Sequence, residues 1–510
     1  MSSTQHGQPP EDSPAGDDAP GNRRHGHDKR WRALAVTLLV GFMSLLDVTI
    51  VNVAVPSIQR GLHASPASIQ WIVSGYALTF GLTLVAGGRL GDVVGRRRMF
   101  LVGLVLFTLT SAAAGVAPDE RLLVVARLLQ GAAAGLLTPQ NSGLIQQLFS
   151  GEERGRAFGL FGTTVGVSSA VGPVLGGLII AGFGESEGWR WVFFVNVPIG
   201  VLAMVLAMRW LPKAGPREGT VRSQIDAVGA LLLGVAVLAV LLPIVEAMAN
   251  PATPLWLVVL VAPVAAWAFV HWERRLVRGG GAPLLDVRLF SQAPGYASGI
   301  VLGTAYFCGF SGIWLVLALY LQDGLGFTAL QSGLAVTPFA IGSSIASIAA
   351  GRVITRLGRR VTVFGVSLVV TGFVALAVVV PLTSPSHPAL WLLVPLFVAG
   401  IGGGSTISPN ITMTLSAVPP RMGGAAGGAL QTGQRIGSAI GAAVLTAAFR
   451  LASSSGASLS TAVSIAFMTA LLFALVALVM AVRELRIRPV AADSTLDDQE
   501  PQHAHHEAAP

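Results

Sequence analysis

Apolar residues in this chain come in long unbroken runs, separated by short stretches rich in Arg, Gly, Pro and Asp. Fourteen runs reach spanning length, roughly 33–55, 68–88, 99–117, 121–146, 155–181, 191–211, 225–245, 254–272, 297–321, 331–351, 361–381, 389–413, 424–449 and 461–482. About 20 apolar residues in a helix cross the hydrocarbon core of a bilayer. The pattern therefore predicts an all-α membrane protein of about fourteen transmembrane helices. Residues 1–32 and 483–510 are polar and read as disordered tails, with His503, His505 and His506 as solvated tail residues rather than a metal site.

Composition sharpens this reading. Hydrophobic residues make up 53% of the chain and charged residues only 11%, against about 25% in soluble domains. Mean hydropathy is +0.68. The net charge of +8 would suggest nucleic acid in a soluble protein, but here the cations sit in loops between apolar runs. With the N-terminus in the cytoplasm, inside regions hold 27 Lys or Arg and outside regions four, Arg60, Arg121, Arg190 and Arg450; Arg127 and Arg435 fall within spans. The positive-inside rule then places both termini in the cytoplasm. The single cysteine, Cys308, lies in an apolar run and reads as a small buried residue.

The chain also repeats itself. Residues 88–98 read GRLGDVVGRRR after the second span, and 351–361 read GRVITRLGRRV after the tenth. Two six-helix halves follow, residues 33–211 and 297–482, with 212–296 supplying two inserted helices and their linkers. Six-helix repeats meeting at a central site are a transporter architecture.

Five stretches in order resemble the major facilitator superfamily, and within it the fourteen-helix drug:proton antiporter family: LLDVTIVNVAVPSIQ (45–59), the GRLGDVVGRRR loop, RLLQGAAAGLLTP (127–139), GPVLGG (172–177) and WRWVFFVNVPIG (189–200). The resemblance implies a multi-pass protein of the cell membrane that exchanges protons for drug-like molecules, with no cofactor, metal or nucleic-acid partner, and with a monomer sufficient. A transporter of a small metabolite, peptide or siderophore-type compound is the alternative. No phosphate loop or catalytic cluster accompanies the spans, which argues against an enzyme or an ATP-driven pump.

Asp47 is the one acid deep within an apolar run. Intramembrane acids are expensive and usually serve ion or proton relays, so Asp47 is a candidate for proton coupling or cation recognition; a structural carboxylate bonded to a neighbouring helix is the other reading. Arg127, the second such candidate, opens the fourth-span motif. Counting about 1.5 Å per residue puts both about 21 Å from the cytoplasmic side, predicting that they share one polar cavity within about 8 Å of each other. Gln130, one turn on, would join them. The resemblance gives Gly88, Asp92, Gly95 and Arg96 a gating role, weakened in the second repeat, where Thr355 stands in place of Asp92. It gives Gly172, Pro173, Gly176 and Gly177 a conformational role on the fifth span. Tyr306, Phe310 and Trp314 share a helical face and could stack on a flat ligand or face lipid. Arg435 is a further intramembrane charge that could touch substrate. Asp226 and Glu246 sit at the ends of the seventh run and are expected at the interface.

Overall fold

The computed structural model describes residues 20–184, 186–212, 226–249, 254–382 and 388–485. Most of the two tails, including His503, His505 and His506, and the 213–225 linker lie outside these. Among the described residues, fourteen helical stretches are long and apolar enough to span a membrane. They are α1 (Pro20–Leu62), α2 (Pro66–Val94), α3 (Arg96–Gly115), α4 (Glu120–Leu148), α5 (Gly151–Phe183), α6 with α7 (Gly188–Phe194 and Asn196–Trp210), α8 (Ala227–Ala249) and α9 (Val261–Arg278, led in by a 3-10 turn). After the short α10 (Leu289–Gln292) come α11 (Tyr296–Leu319), α12 (Ala329–Leu357), α13 (Arg360–Leu382), α14 (Pro388–Thr414), α15 (Gly423–Ser454) and α16 (Leu459–Glu484). The first helix begins at Pro20, ahead of its apolar run: proline suits a first helical position, and the polar residues that follow stay helical despite Gly21 and Gly26.

Polar side chains set the helix starts. Asp119 and Ser458 accept from the backbone N–H of Leu122 and Thr461, and Thr328 with Gln331 forms a capping box. Gly95 turns the chain between α2 and α3 at φ 110°, a conformation costly for any other residue. The outer surface is apolar: Trp267, Val394 and Leu382 are 68%, 71% and 78% exposed. Such a surface fits lipid and not water.

Inside, small residues and hydroxyls replace the hydrophobic effect as the glue between helices. Along α2 and α4, Thr79 and Thr83 donate to the carbonyls of Leu128 and Ala132 at 2.7 and 3.1 Å. The first six spans meet the last six along two seams, α2 against α15 and α5 against α12, with α4 also on α15 and α14 on α5. A Cβ on Gly88 would lie 2.1 Å from the Gly424 carbonyl, and one on Gly351 would lie 2.8 Å from the Gly159 Cα. Inserted helix α8 packs across the α2–α15 seam, with Leu241 and Val237 clustered with Leu78, Trp71 and Ile436, and α9 packs on α8. Asp226, expected at an interface, is buried instead. It caps α8 by accepting from Gly229 N at 2.8 Å and accepts from the Trp272 indole of α9 at 3.0 Å.

Candidate functional site

Asp47 sits mid-helix on α1, fully buried. Its Oδ2 accepts from the Arg127 guanidinium of α4 at 2.7 Å. Its Oδ1 accepts from Gln130 Nε2 at 3.0 Å and Asn196 Nδ2 at 2.9 Å. Arg127 donates further to Gln130 Oε1 at 2.7 Å and to the Ile72 carbonyl at 3.1 Å, and its guanidinium lies 4.2 Å from the centre of the Tyr76 ring. Ser111 accepts from Asn196 and donates to the Phe193 carbonyl. The helix depths thus bring Asp47, Arg127 and Gln130 together as opposite charges should be in a low-dielectric interior. Asn196 was not singled out from sequence. Its signal is an amide in the otherwise apolar WRWVFFVNVPIG, at the break between α6 and α7.

The loop motif spans the α2–α15 seam. Asp92 accepts from Arg96 at 2.8 Å and, across the seam, from the backbone N–H of Gly424 and Ala425 at 3.2 and 2.9 Å. Those N–H groups open α15, where a helix has unpaired donors and a positive dipole end. Arg96 in turn donates to the carbonyls of Gly143 and Pro420. Gly88 lets the backbones meet and Gly95 makes the turn. Other inter-half bonds, Gln431 to Ser142, Thr432 to the Gly81 carbonyl and Thr163 to the Ser344 carbonyl, lie between this end and the middle of the bundle.

In the second repeat, Arg359 occupies the position of Arg96 but turns to Glu484 of α16, within its own half. Ser298 also donates to Glu484. Burial lowers the Arg359 guanidinium to about 10, which leaves it charged at neutral pH. The missing acid at Thr355 is therefore supplied from another helix, a link that motif comparison alone does not reveal.

On α5, Gly172 and Gly176 face α1: a Cβ on Gly172 would lie 2.0 Å from Thr49 Oγ1 and one on Gly176 would lie 3.0 Å from Ile50 Cγ1. Pro173 faces the other way, against Gly333 of α12. Gly177 is half-buried. The motif helix thus links the turn after Asp47 to the α5–α12 seam.

The Tyr306–Phe310–Trp314 stripe does not face lipid. Tyr306 is buried and stacks on Phe310, and Phe339 of α12 packs edge-on against Trp314 with ring centres 4.7 Å apart. Arg435 on α15 reaches across the seam and lies 4.4 Å from the centre of the Phe80 ring. Cys308 is buried. Among the described residues, no cluster of His, Cys, Asp and Glu has the makings of a metal site.

Comparison with known proteins bears on the family and the fold. The family profile described as Major Facilitator Superfamily matches residues 37–281 and 299–505. The chain is 37% identical to the probable actinorhodin transporter of Streptomyces coelicolor over 82% of this chain and 72% of that one. It is 34% identical to the puromycin resistance protein of Streptomyces alboniger over 78% of this chain and 77% of the relative. Among solved structures, the proton:xylose symporter XylE superposes with a TM-score of 0.63 at 14% identity, over 88% of this chain and 95% of that one. This last match speaks to the fold alone.

Proposed function

Since this chain belongs to the Major Facilitator Superfamily, we propose that it exports drug-like or antibiotic molecules from the cell in exchange for protons. The observation that carries this reading is the buried Asp47–Arg127 pair, an ionisable network placed inside the membrane-spanning bundle. Relatives named for actinorhodin transport and puromycin resistance support the class of cargo. In this reading both termini face the cytoplasm, and residues 33–211 and 297–482 form the two halves that rock about a central site, with 212–296 as the insert.

Physical roles follow from the contacts. The Asp92–Arg96 latch on α15 holds the cytoplasmic ends of the halves together and closes the bundle on that side. Releasing the latch frees α15 from α2 and exposes the site to the cytoplasm. In this reading Asp47 is the carrier of the exchanged proton, and Arg127 is the partner that withdraws and returns in each cycle. Glycines at 172 and 176 let α5 slide on α1 as the halves move, so the state of the Asp47 network reaches the α5–α12 seam.

Expression in a drug-sensitive bacterial host should raise resistance to several antibiotics or dyes, and collapsing the proton gradient should abolish the gain. No change across a broad panel would overturn the reading. Epitope tags added before residue 20 or after residue 485 should become accessible to antibody only after permeabilisation. Labelling of just one tag on intact cells would break the even span count.

A further inference from the structure

Asp47 was the natural partner for a positively charged cargo, but its carboxylate is fully buried and accepts from three side chains. The charge left open in the middle of the bundle is a cation. Arg435 lies about a third of the way along α15, half-buried, on a stripe with Gln431, Gln434 and Ser438 at helical spacing. Among the described residues no carboxylate pairs with it; its guanidinium rests on the Phe80 ring. That stripe faces both halves: Gln431 bonds Ser142 of α4 and Ser438 bonds Ser311 of α11 at 2.8 Å. Ser311 stands beside Phe310 in the stacked aromatic group of α11.

An unpaired guanidinium in a membrane-spanning helix is costly. A cation–π contact offsets only part of that cost. A planar fork of N–H donors beside an aromatic ring fits a carboxylate or phenolate on a flat ring system. We propose that Arg435 is the anion-recognising residue of the central site, and that the cargo is an aromatic molecule bearing an acidic group. This rests on the export reading and deepens it. Phe80 holds the guanidinium in place, while one turn further along α15 the Ser438–Ser311 bond joins the helix to α11, which carries the aromatic group. Because Arg435 belongs to one half and Phe80 to the other, an anion bound there touches the seam that must open.

Fluorescein and rhodamine 6G, an anionic and a cationic dye on the same ring system, separate the alternatives. In preloaded cells the protein should export fluorescein. Arg435→Gln, at equal membrane level, should slow that export by about tenfold to a hundredfold, the effect of losing one charge-assisted hydrogen-bonded contact. Arg435→Lys should be intermediate, and rhodamine 6G export should not be slowed by Arg435→Gln. If Arg435→Gln does not reach the membrane, competition decides: fluorescein should inhibit antibiotic export by the unaltered protein more strongly than rhodamine 6G. Export of rhodamine 6G without fluorescein, equal loss of both dyes in Arg435→Gln, or unchanged fluorescein export in that variant would overturn the assignment while leaving export intact. Movement of neither dye nor any antibiotic would instead remove the export reading, and this one with it.

Discussion

Arg127→Leu, with Asp47 left in place, should cost about 3–5 kcal/mol of stability, the penalty of stranding a buried charge whose partner has gone. Asp47 would keep Gln130 and Asn196 as donors but would have no cation in a site closed to water. The double variant Asp47→Asn with Arg127→Leu should recover most of that loss. An asparagine keeps an oxygen for those two donors and carries no charge. Residual monodisperse protein after heating in detergent measures the stability. If Arg127→Leu is no less stable than the double variant, the two side chains are not coupled. Transport reads the other half of the question. The double variant should fold and still fail to export, because nothing is left to take up and release a proton; export at the unaltered rate would make the network purely structural.

Gly88→Val should leave the protein folded but unable to close the α2–α15 seam. A Cβ at residue 88 would sit 2.1 Å from the Gly424 carbonyl oxygen and 2.8 Å from Ala425 N, both backbone atoms that cannot swing aside. Overpacking of this kind costs about 1–3 kcal/mol, enough to depopulate the closed arrangement by about 5- to 150-fold. Export should fall accordingly. A reporter cysteine at Ser142, which lies at the seam against Gly427 and Gln431, should react faster with a water-soluble maleimide in the Gly88→Val background. The only native cysteine, Cys308, is buried and contributes little background. Unchanged labelling would mean that the seam closes despite the valine.

Much of the architecture is legible in the sequence because lipid imposes length. Each apolar run has to cross the same thickness, so the spans follow from counting, and the depth of Asp47 on α1 and Arg127 on α4 follows from the same count. Rotation about the helix axis is another matter. Core-facing and lipid-facing positions of a membrane helix are both apolar, so periodicity says little about which face looks inward. From the sequence the Tyr306 stripe reads better as lipid-facing, and it is the burial of Tyr306 and the packing of Phe339 that place it inside. Pairings between distant helices are hidden for the same reason. Nothing in GRVITRLGRRV points to Glu484, 125 residues beyond Arg359 along the chain, and nothing around Arg435 points to Phe80. Asn196 was visible as a polar residue in an apolar run, but its partner was not.

The two loop motifs now serve different purposes. Arg96 shares its acid, Asp92, with the first turn of α15 in the opposite half. Arg359 spends its charge on Glu484 in its own half, so nothing in that pair has to break when the halves part. On the α5–α12 side the halves meet through Gly155, Gly159 and Gly351, and the polar bridges described there are the Thr163 donation to the Ser344 carbonyl at 3.2 Å and an exposed Arg356–Glu152 pair at 3.8 Å. A duplicated fold would be expected to carry two matched catches and to need both undone at once. In the proposed cycle one side holds a buried ionic catch and the other only weaker contacts, so a single unlatching event would set the timing of each turnover.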